Sequence, residues 1–271
     1  MLQNMAESFK VAAIQMDCAL FDMTINLNKA EELIGTAANK GALLAVLPEL
    51  FNTGYGVEEY DMELANTIPG PTTNQIADIC KKRGIFVTGT QIERAGDKLY
   101  DTAFLVGPEG LVGIYRKIAL WGGEADRFER GDQYRVFDIG FCRIGLQICY
   151  EIGFPEGARI LALQGADVIA YPSAFGALRH YAWDIASRAR ALENGLYVIA
   201  CNRSGSEKGG TVFAADSRIV DPKGGVLASA AKNYDVIIAE VDPDKISEQR
   251  EAIPYLRDLN RDLAANYLRT V

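Results

Sequence analysis

One stretch of the sequence decides the fold, because in it an apolar run stops at a thiol: Arg143-Ile144-Gly145-Leu146-Gln147-Ile148-Cys149. Such a run predicts a buried strand. A helix is predicted to follow Pro155 and to end near Gly165, since proline favours the first turn of a helix and glycine its end. The next apolar run, Val168 to Tyr171, predicts another strand. Strand, helix and strand in this order indicate an α/β fold.

The same alternation continues on both sides of this stretch. Further strands are predicted from Phe9 to Met16, Ala42 to Leu47, Ile85 to Ile92, Leu99 to Val106, Leu111 to Tyr115, Tyr134 to Ile139, Tyr197 to Cys201, Val212 to Val220, Val226 to Ala230 and Val236 to Val241. Helices are predicted between Asp22 and Gly41, from about Thr72 to Arg83, and from Leu178 to Asn194. The mixture of βα units and hairpins predicts helices that cover mixed sheets.

No change of composition, linker or repeat marks an internal boundary in the 271 residues. We therefore predict one domain over residues 1–271, with a charged and partly helical C-terminal arm from about Asp244. Hydrophobic residues make up 49% and charged residues 24% of the chain, which is typical of a globular protein with an ample core.

The composition argues against several classes of function. The formal net charge is -8 and no basic stripe is present, so a nucleic-acid partner is not expected. No uncharged apolar stretch approaches the ~20 residues that cross a bilayer, and we predict a cytoplasmic protein without a membrane partner. Five widely spaced cysteines are expected to be reduced thiols. His180 is the only histidine, so a metal site is not expected.

Cys149 is a candidate nucleophile because it lies where a predicted strand ends and a helical segment begins. Backbone N–H groups at such a position can activate a thiol, although most cysteines serve only as core packing. The partner that many cysteine hydrolases use is histidine, but His180 on its predicted helix fits a surface or packing role better. A carboxylate held in an apolar site could take the thiol proton instead.

Glu49 is the candidate for that carboxylate, because it directly follows the apolar run Ala42 to Leu47 and Pro48. The alternative, an ordinary charge in a solvated loop, fits this position poorly. Lys117 follows the predicted strand that ends at Tyr115, and its spacing alone favours an ordinary surface charge at a strand end. When Glu49, Lys117 and Cys149 are considered together with their flanking motifs, both Glu49 and Lys117 become candidate catalytic residues.

Three blocks of sequence resemble the motifs of the nitrilase superfamily of carbon-nitrogen hydrolases. They are Leu47-Pro48-Glu49-Leu50-Phe51-Asn52-Thr53-Gly54-Tyr55; Tyr115-Arg116-Lys117-Ile118-Ala119-Leu120 with Glu124, Phe128 and Gly131; and Gly145-Leu146-Gln147-Ile148-Cys149-Tyr150-Glu151 with Phe154, Pro155, Glu156, Arg159 and Pro172. The resemblance runs from about Val11 to about Val241. It implies a four-layer α-β-β-α sandwich with two mixed β-sheets and assembly into homodimers or larger homo-oligomers.

The resemblance also implies the chemistry of the site, with no cofactor. Glu49 is expected to be the base and Cys149 the nucleophile, and the oxyanion is expected to be held by Lys117 and the backbone N–H of Tyr150. Glu124 matches the second glutamate of the family, which orients the lysine. The implied reaction is hydrolysis of a small amide to a carboxylic acid and ammonia through a thioester.

The branch within the family is predicted from shorter matches. Cys149-Tyr150-Glu151 looks like the amidase and carbamoylase branches, and Leu120-Trp121-Gly122-Gly123-Glu124 with the tail Ala252 to Leu259 resembles aliphatic amidases of the 5-aminopentanamidase kind. The residues expected to line the substrate pocket are Tyr55, Trp121, Glu151, Ser173, Ala174, Phe175 and Asn202. The alternatives are an N-carbamoyl amine or amino acid hydrolase, in which Arg179 could hold a carboxylate, a nitrilase, and a non-catalytic binding member of the fold.

Overall fold

The computed structural model describes residues 7–207 and 209–270. Numbered in chain order, the strands are β1 (Phe9–Gln15), β2 (Ala42–Val46), β3 (Phe86–Ala95), β4 (Lys98–Gly107), β5 (Gly110–Arg116), β6 (Val136–Asp138), β7 (Arg143–Leu146), β8 (Val168–Ser173), β9 (Tyr197–Asn202), β10 (Ser206–Glu207), β11 (Thr211–Val212), β12 (Arg218–Val220), β13 (Val226–Ser229) and β14 (Asp235–Val241).

The helices of the described ranges are α1 (Met23–Asn39), α2 (Asp61–Leu64), α3 (Pro71–Arg83), α4 (Pro155–Leu163), α5 (His180–Asn194), α6 (Pro243–Ala252), α7 (Tyr255–Asp258) and α8 (Arg261–Thr270). Short 3₁₀ turns cover Glu58–Tyr60, Gly122–Asp126, Cys149–Gly153 and Ala177–Arg179. Asp22 caps α1 by accepting a hydrogen bond from the backbone N–H of Ile25. Among these described helices, none is both long and apolar enough to cross a membrane.

Two mixed six-stranded sheets form the centre of the molecule. The first has the strand order β14-β1-β2-β3-β4-β5 and the second has the order β13-β12-β9-β8-β7-β6. In the first sheet β1, β2 and β3 run parallel while β14, β4 and β5 pair antiparallel. In the second sheet β7, β8 and β9 are parallel. Each sheet therefore combines βα units with hairpins, as the sequence predicts.

Alternation along the strands explains how the sheets and helices form layers. In β1, Val11 and Ala13 belong to the core cluster shared with the second sheet, where Ile144 and Ile169 also lie. Ala12 and Ile14, which alternate with these residues along β1, point to the other face and pack with α1 and α3. Helices α4 and α5 pack on the outer side of the second sheet. The result is the predicted four-layer α-β-β-α sandwich.

One predicted strand is wrong in part. Val212 to Val220 reads as a single run, but the structure divides it into β11 and β12. Ala215 and Asp216 between them have φ angles of 52° and 53°, in the left-handed region that a strand cannot use. The backbone N–H of Ser217 donates to the side-chain oxygen of Gln15 at 2.9 Å. The chain between β11 and β12 is thus held by a side chain of β1 in the first sheet, where the predicted strand would have formed ladder hydrogen bonds.

The segment after β14 begins as a helix that packs on the rest of the chain. Asp242 caps α6 through a bond from the N–H of Asp244, and Ile246 and Gln249 on this helix are buried. The guanidinium group of Arg250 donates to the carbonyl oxygens of Ala166 and Asn194. The predicted arm from about Asp244 is therefore anchored at its start, with α7 and α8 following it.

Candidate active site

The predicted catalytic residues meet because each follows the end of a strand. Glu49 comes after β2, Lys117 directly after β5, and Cys149 after β7, so both sheets contribute to one cluster. The backbone N–H of Glu49 donates to the carbonyl of Ser173 at the end of β8, at 3.4 Å, which joins the edges of the two sheets. The ends of strands are where α/β sheets usually place ligands.

Cys149 has an unusual backbone and a buried thiol. Its φ angle is 45°, a left-handed conformation that costs a residue with a side chain about 1 kcal/mol or more. It begins the 3₁₀ turn Cys149–Gly153 and is only 7% exposed. Burial raises the pKa of the Cys149 thiol well above its usual value, and the neighbouring Glu49 raises it further, whereas Lys117 lowers it. The thiol is thus neutral at rest and needs a base in order to react.

Lys117 is the centre of the cluster and is completely buried. Its Nζ lies 2.6 Å from Glu49 Oε1, 2.8 Å from Glu124 Oε1 and 3.6 Å from Asp101 Oδ2. Burial alone lowers the pKa of Lys117, but the neighbouring carboxylates, Glu49 first and Glu124 second, raise it well above the usual lysine value. The side chain is therefore a permanent ammonium at neutral pH. These three carboxyl groups lie close enough together to hold a cation, and the ammonium fills that role.

Hydrogen bonds fix both glutamates around this ammonium. Glu49 Oε2 accepts the backbone N–H of Ala174 at 2.8 Å. Glu124 Oε1 accepts the hydroxyl of Tyr55 at 2.5 Å, and its Oε2 accepts the backbone N–H of Trp121 at 2.7 Å. Donors of this kind stabilise the ionised form of a carboxyl group. The arrangement suits Glu49 to accept a proton and Glu124 to orient the lysine.

A cavity of about 620 Å³ opens onto Cys149. Of the predicted pocket residues, Tyr55, Trp121, Ala174 and Phe175 line it, as does Tyr150. The remaining lining residues are Ile152, Gly153, Gly176, Ala177, Leu178, Arg179, Ala182, Ala186, Gly209, Gly210, Thr211, Val212 and Phe213. The wall is mostly apolar, and Arg179 is its one charged side chain among the described lining residues.

Glu151 lies outside this lining, so its prediction as a pocket residue is wrong. Its hydrogen bonds instead hold the backbone of the site. It is fully buried, and its Oε1 accepts the Tyr115 hydroxyl at 2.7 Å and the N–H groups of Ile118 and Ala119 at 2.9 and 3.1 Å. Its Oε2 accepts the N–H of Ile148 at 2.7 Å. One carboxyl group therefore ties the segment after Lys117 to the residue before Cys149.

Ser173 and Asn202 also lie outside the lining, although the sequence predicts both as pocket residues. The Ser173 hydroxyl donates to the carbonyl of Tyr171 at 3.0 Å. Asn202 accepts the N–H of Phe175 at 2.7 Å and donates to the carbonyls of Phe175 and Ala215. The polar atoms of both side chains form hydrogen bonds with backbone groups. Asn202 therefore influences the cavity by fixing the backbone of Phe175.

Two features of the site were not predicted from the sequence. Asp101 joins the cluster from within β4, where an acid in the otherwise apolar run Leu99 to Val106 was the available signal. Residues 209–213, in and beside β11, form one side of the cavity. His180, in contrast, lies outside the cluster: its ring is half exposed and its Nε2 is 2.5 Å from Asp216 Oδ2.

Comparison with known proteins places this fold and site in a family. The family model "Carbon-nitrogen hydrolase" matches residues 10–251. A "Nitrilase" of Pyrococcus abyssi is 42% identical over 266 residues, which are 95% of this chain and 98% of the relative. An "Omega-amidase" of Xenopus laevis is 39% identical over 250 residues, which are 88% of this chain and 90% of the relative.

Crystal structures of two relatives share the architecture. A nitrilase-superfamily member of Saccharomyces cerevisiae superposes with a TM-score of 0.86 at 29% identity, covering 96% of this chain and 98% of that chain. An amidase from Nesterenkonia sp. superposes with a TM-score of 0.85 at 25% identity, covering 98% of both chains. The extent of the family match, the identities and the shared sandwich lead to one conclusion: the chain belongs to the carbon-nitrogen hydrolase family of the nitrilase superfamily.

Proposed function

We propose that the protein is an amidase that hydrolyses short amides carrying a carboxylate at the far end, through a thioester on Cys149. Relatives named omega-amidase and amidase support the hydrolysis of amides. The Glu49, Lys117 and Cys149 cluster supports the thioester route. The observation that carries the choice of substrate is the charge of Arg179 on the cavity wall, which no acidic side chain of the described residues pairs.

In the proposed acylation step Glu49, Lys117 and Cys149 act together. Glu49 takes the proton of the Cys149 thiol, and the sulfur attacks the carbonyl carbon of the amide. The tetrahedral oxyanion faces the Lys117 ammonium and the backbone N–H of Tyr150. The C–N bond then breaks, the leaving nitrogen takes the proton from Glu49, and ammonia departs. A thioester of the substrate acyl group remains on Cys149.

In deacylation Glu49 acts in the same way, but water replaces the thiol as the nucleophile. Glu49, again ionised, takes a proton from a water molecule that attacks the thioester carbonyl. The second tetrahedral oxyanion occupies the same position beside Lys117, and the C–S bond breaks. Glu49 returns the proton to the sulfur, which releases the carboxylic acid and restores the thiol. The cycle consumes one water and needs no other reactant.

Arg179 gives the cavity its preference for an anion. Its guanidinium carbon lies 4.4 Å from the ring centroid of Trp121 and 5.8 Å from that of Phe175, so it rests on the aromatic wall. No acidic side chain of the described residues forms an ion pair with it, unlike the buried arginines Arg190, Arg203 and Arg218. A guanidinium group in this state matches a substrate carboxylate.

The positive charge of Arg179 also distinguishes among the alternative substrates. An amide with a distal amine, as the resemblance to 5-aminopentanamidases implies, would meet this cation and no acid among the described lining residues. An N-carbamoyl amino acid carries a carboxylate and remains the second candidate on that ground. A nitrile is the third candidate, since the Pyrococcus abyssi relative is named "Nitrilase".

Ammonia release from compounds of matched length tests this proposal. Glutaramate, pentanamide and 5-aminopentanamide differ only in the distal group, and 4-cyanobutanoate and N-carbamoyl-β-alanine test the other bonds. We expect glutaramate to have the highest kcat/KM and Cys149→Ala to be inactive. Turnover led by the amine or by the nitrile would contradict the proposed substrate, and led by the carbamoyl compound it would select the second candidate.

The variant Arg179→Gln locates the specificity. We expect it to lower kcat/KM for glutaramate roughly 10- to 100-fold, mainly through KM, because a charge-assisted hydrogen bond contributes about 1.5–3 kcal/mol. Turnover of pentanamide is expected to stay unchanged. Arg135→Gln, at an exposed arginine away from the cavity, is the matched control. An equal loss for both amides would show that Arg179 only supports the wall.

A further inference from the structure

Asp101 differs from the other carboxyl groups of the cluster because no N–H or O–H group of the described residues donates a hydrogen bond to its side chain. Its side chain is fully buried on β4, and its Oδ2 lies 3.6 Å from Lys117 Nζ. Across residues 7–207 and 209–270, neither of its two oxygens has a hydrogen-bond partner. A buried carboxylate in this state is rare, since burying a charge that no hydrogen bond stabilises carries a large desolvation cost.

The charges of the cluster do not balance if every carboxyl group is ionised. Glu49, Asp101 and Glu124 have oxygens within 4.8 Å of one another, and among the described residues Lys117 is the one cation that contacts all three. Three carboxylates and one ammonium would leave two negative charges uncompensated in a buried site. Carboxyl groups that crowd together in this way retain a proton.

The hydrogen bonds indicate which carboxyl group holds that proton. Glu49 accepts from Lys117 and from the N–H of Ala174, and Glu124 accepts from Lys117, the Tyr55 hydroxyl and the N–H of Trp121. Asp101 accepts from none of them. Burial raises the pKa of Asp101 well above its usual value, Glu49 raises it further, and the lowering effect of Lys117 does not cancel this.

We propose that Asp101 is a positioning residue that is uncharged in the resting enzyme and keeps Glu49 ionised by holding the buried proton of the cluster. The inference rests on the proposed role of Glu49 as base. With Asp101 neutral, Lys117 is shared between Glu49 and Glu124 alone. With Asp101 ionised, its negative charge would favour a protonated Glu49, which could not accept the proton of the Cys149 thiol.

The groups that face Asp101 come from several elements. Lys117 follows the neighbouring strand β5, and its backbone N–H donates to the Asp101 carbonyl at 2.9 Å. Glu49 follows β2 and Glu124 lies in the turn Gly122–Asp126. The Tyr55 hydroxyl and the Cys149 thiol complete the titratable groups of the cluster. Both are uncharged acids at rest, because burial raises the pKa of each.

Infrared spectroscopy tests the charge state without any substrate. A protonated carboxylic acid has a carbonyl stretch that a carboxylate lacks, and we expect this band in the wild-type protein at neutral pH. It is expected to vanish in Asp101→Asn and to persist in Asp97→Asn, an exposed aspartate of the β3–β4 turn. A band that is unchanged in Asp101→Asn would overturn the proposal.

Isotope labelling provides the same test without a substitution, in case the variant does not fold. Aspartate labelled with ¹³C at its carboxyl carbon is expected to shift the acid band of the wild type. Asp61 and Asp101 are the buried aspartates of the described residues, and Asp61 accepts two bonds from Arg127, whereas Asp101 accepts none within the described residues. A band that does not move with the label would overturn the assignment to Asp101.

The pH dependence of kcat/KM tests the effect on Glu49. Asp101→Asn replaces one neutral group with another, so we expect the acidic limb of the pH profile to stay where it is in the wild type, whatever the absolute kcat/KM of the variant. Loss of an ionised Asp101 would instead remove a negative charge beside the base and move that limb to lower pH. A moved limb overturns the proposal. If no amide is turned over, the proposed function fails, but the infrared result still decides the charge of Asp101.

Discussion

The reactivity of Cys149 depends on residues that are distant in the sequence. Its sulfur lies among Glu49, Lys117 and Glu124, each of which influences the pKa of the thiol. The motif resemblance predicts Glu49, Lys117 and Cys149 as one site, and the structure brings them together. Spacing alone could not do this, because for Lys117 it favours an exposed strand end, whereas the side chain is buried.

Titration of the Cys149 thiol should show a neutral group at physiological pH. Since burial raises its pKa, the thiolate forms only above the ~8.5 of an ordinary cysteine. We expect the ultraviolet absorption of thiolate, taken as wild type minus Cys149→Ala, to be absent at pH 7 and to rise only in the alkaline range. Full thiolate absorption at pH 7 would indicate a stable ion pair with Lys117 instead.

Removal of the Lys117 charge should destabilise the fold as well as abolish turnover. Lys117→Met leaves Glu49 and Glu124 facing each other in a buried site, and breaking such a pair costs about 3–5 kcal/mol of unfolding free energy. Urea denaturation measures this. Lys98→Met is the matched control, because Lys98 is half exposed and its partner Glu129 lies 3.6 Å away. An exposed pair contributes less than about 1 kcal/mol, so equal losses would contradict this account.

Three of the predicted pocket residues lie outside the cavity lining, for a physical reason. Glu151, Ser173 and Asn202 stand beside the matched motifs, but their polar atoms bond to the backbone or to Tyr115. Adjacency in sequence does not tell which way a side chain points at the end of a strand. Asp101 was missed because a strand interior gives no sign that a neighbouring strand carries a lysine.

At the scale of elements, strands with simple patterns were predicted to within a few residues. Alternating or continuous apolar runs such as β1, β4 and β8 are stable only as buried strands, so their pattern is enough to predict them. The run from Val212 to Val220 failed because its course is set by contacts with distant residues, including Gln15. Local pattern predicts an element, whereas its interruption depends on tertiary partners.

Helix α5 and the turn before it carry an apolar stripe that we propose to be covered by a second copy of the chain. Leu178, Tyr181 and Ile185 are 93%, 68% and 65% exposed, and they recur at the three- and four-residue spacing of one helix face. Large apolar side chains exposed together typically mark an interface.

Sedimentation velocity tests this proposed interface. Because an added charge would be buried without a partner in the proposed interface, Ile185→Glu is expected to yield a monomer where the wild type forms the proposed dimer or larger oligomer. Leu111→Glu, an exposed position on the edge strand β5, is the control and should leave the assembly intact. A wild-type protein that is monomeric at micromolar concentration would refute the proposal.

At the scale of the whole molecule, two packed sheets bring four strand ends to one place. The ends of β2, β5, β7 and β8 supply Glu49, Lys117, Cys149 and Ala174, and no local segment could assemble these groups alone. The order of strands and helices in the sequence predicted the class of fold. The four layers followed from the family resemblance, since patterning does not reveal how two sheets face each other.

Buried thiols should make the molecule sensitive to alkaline pH. Burial raises the pKa of Cys18 and of Cys80 to about 12, and it raises those of Cys142, Cys149 and Cys201 as well. Unfolded thiols ionise near ~8.5. Between that pH and the folded pKa values the unfolded state binds fewer protons, so stability falls as pH rises.

The slope of that loss can be measured with urea at a series of pH values. Each thiol contributes at most about 1.4 kcal/mol per pH unit above its unfolded pKa. Cys80→Ala is expected to be less stable at neutral pH because of the lost packing, but to lose stability less steeply above pH ~9. Identical slopes for the variant and the wild type would contradict this linkage.

The most direct test of the central claim is intact-protein mass spectrometry of enzyme quenched with acid during turnover of glutaramate. The account predicts a covalent adduct with the mass of the substrate acyl group, that is glutaramate minus ammonia, located on Cys149 by peptide mapping and removed by hydroxylamine. Cys149→Ala should carry no adduct and release no ammonia. An acyl group on another residue, or turnover that persists in Cys149→Ala, would contradict the account.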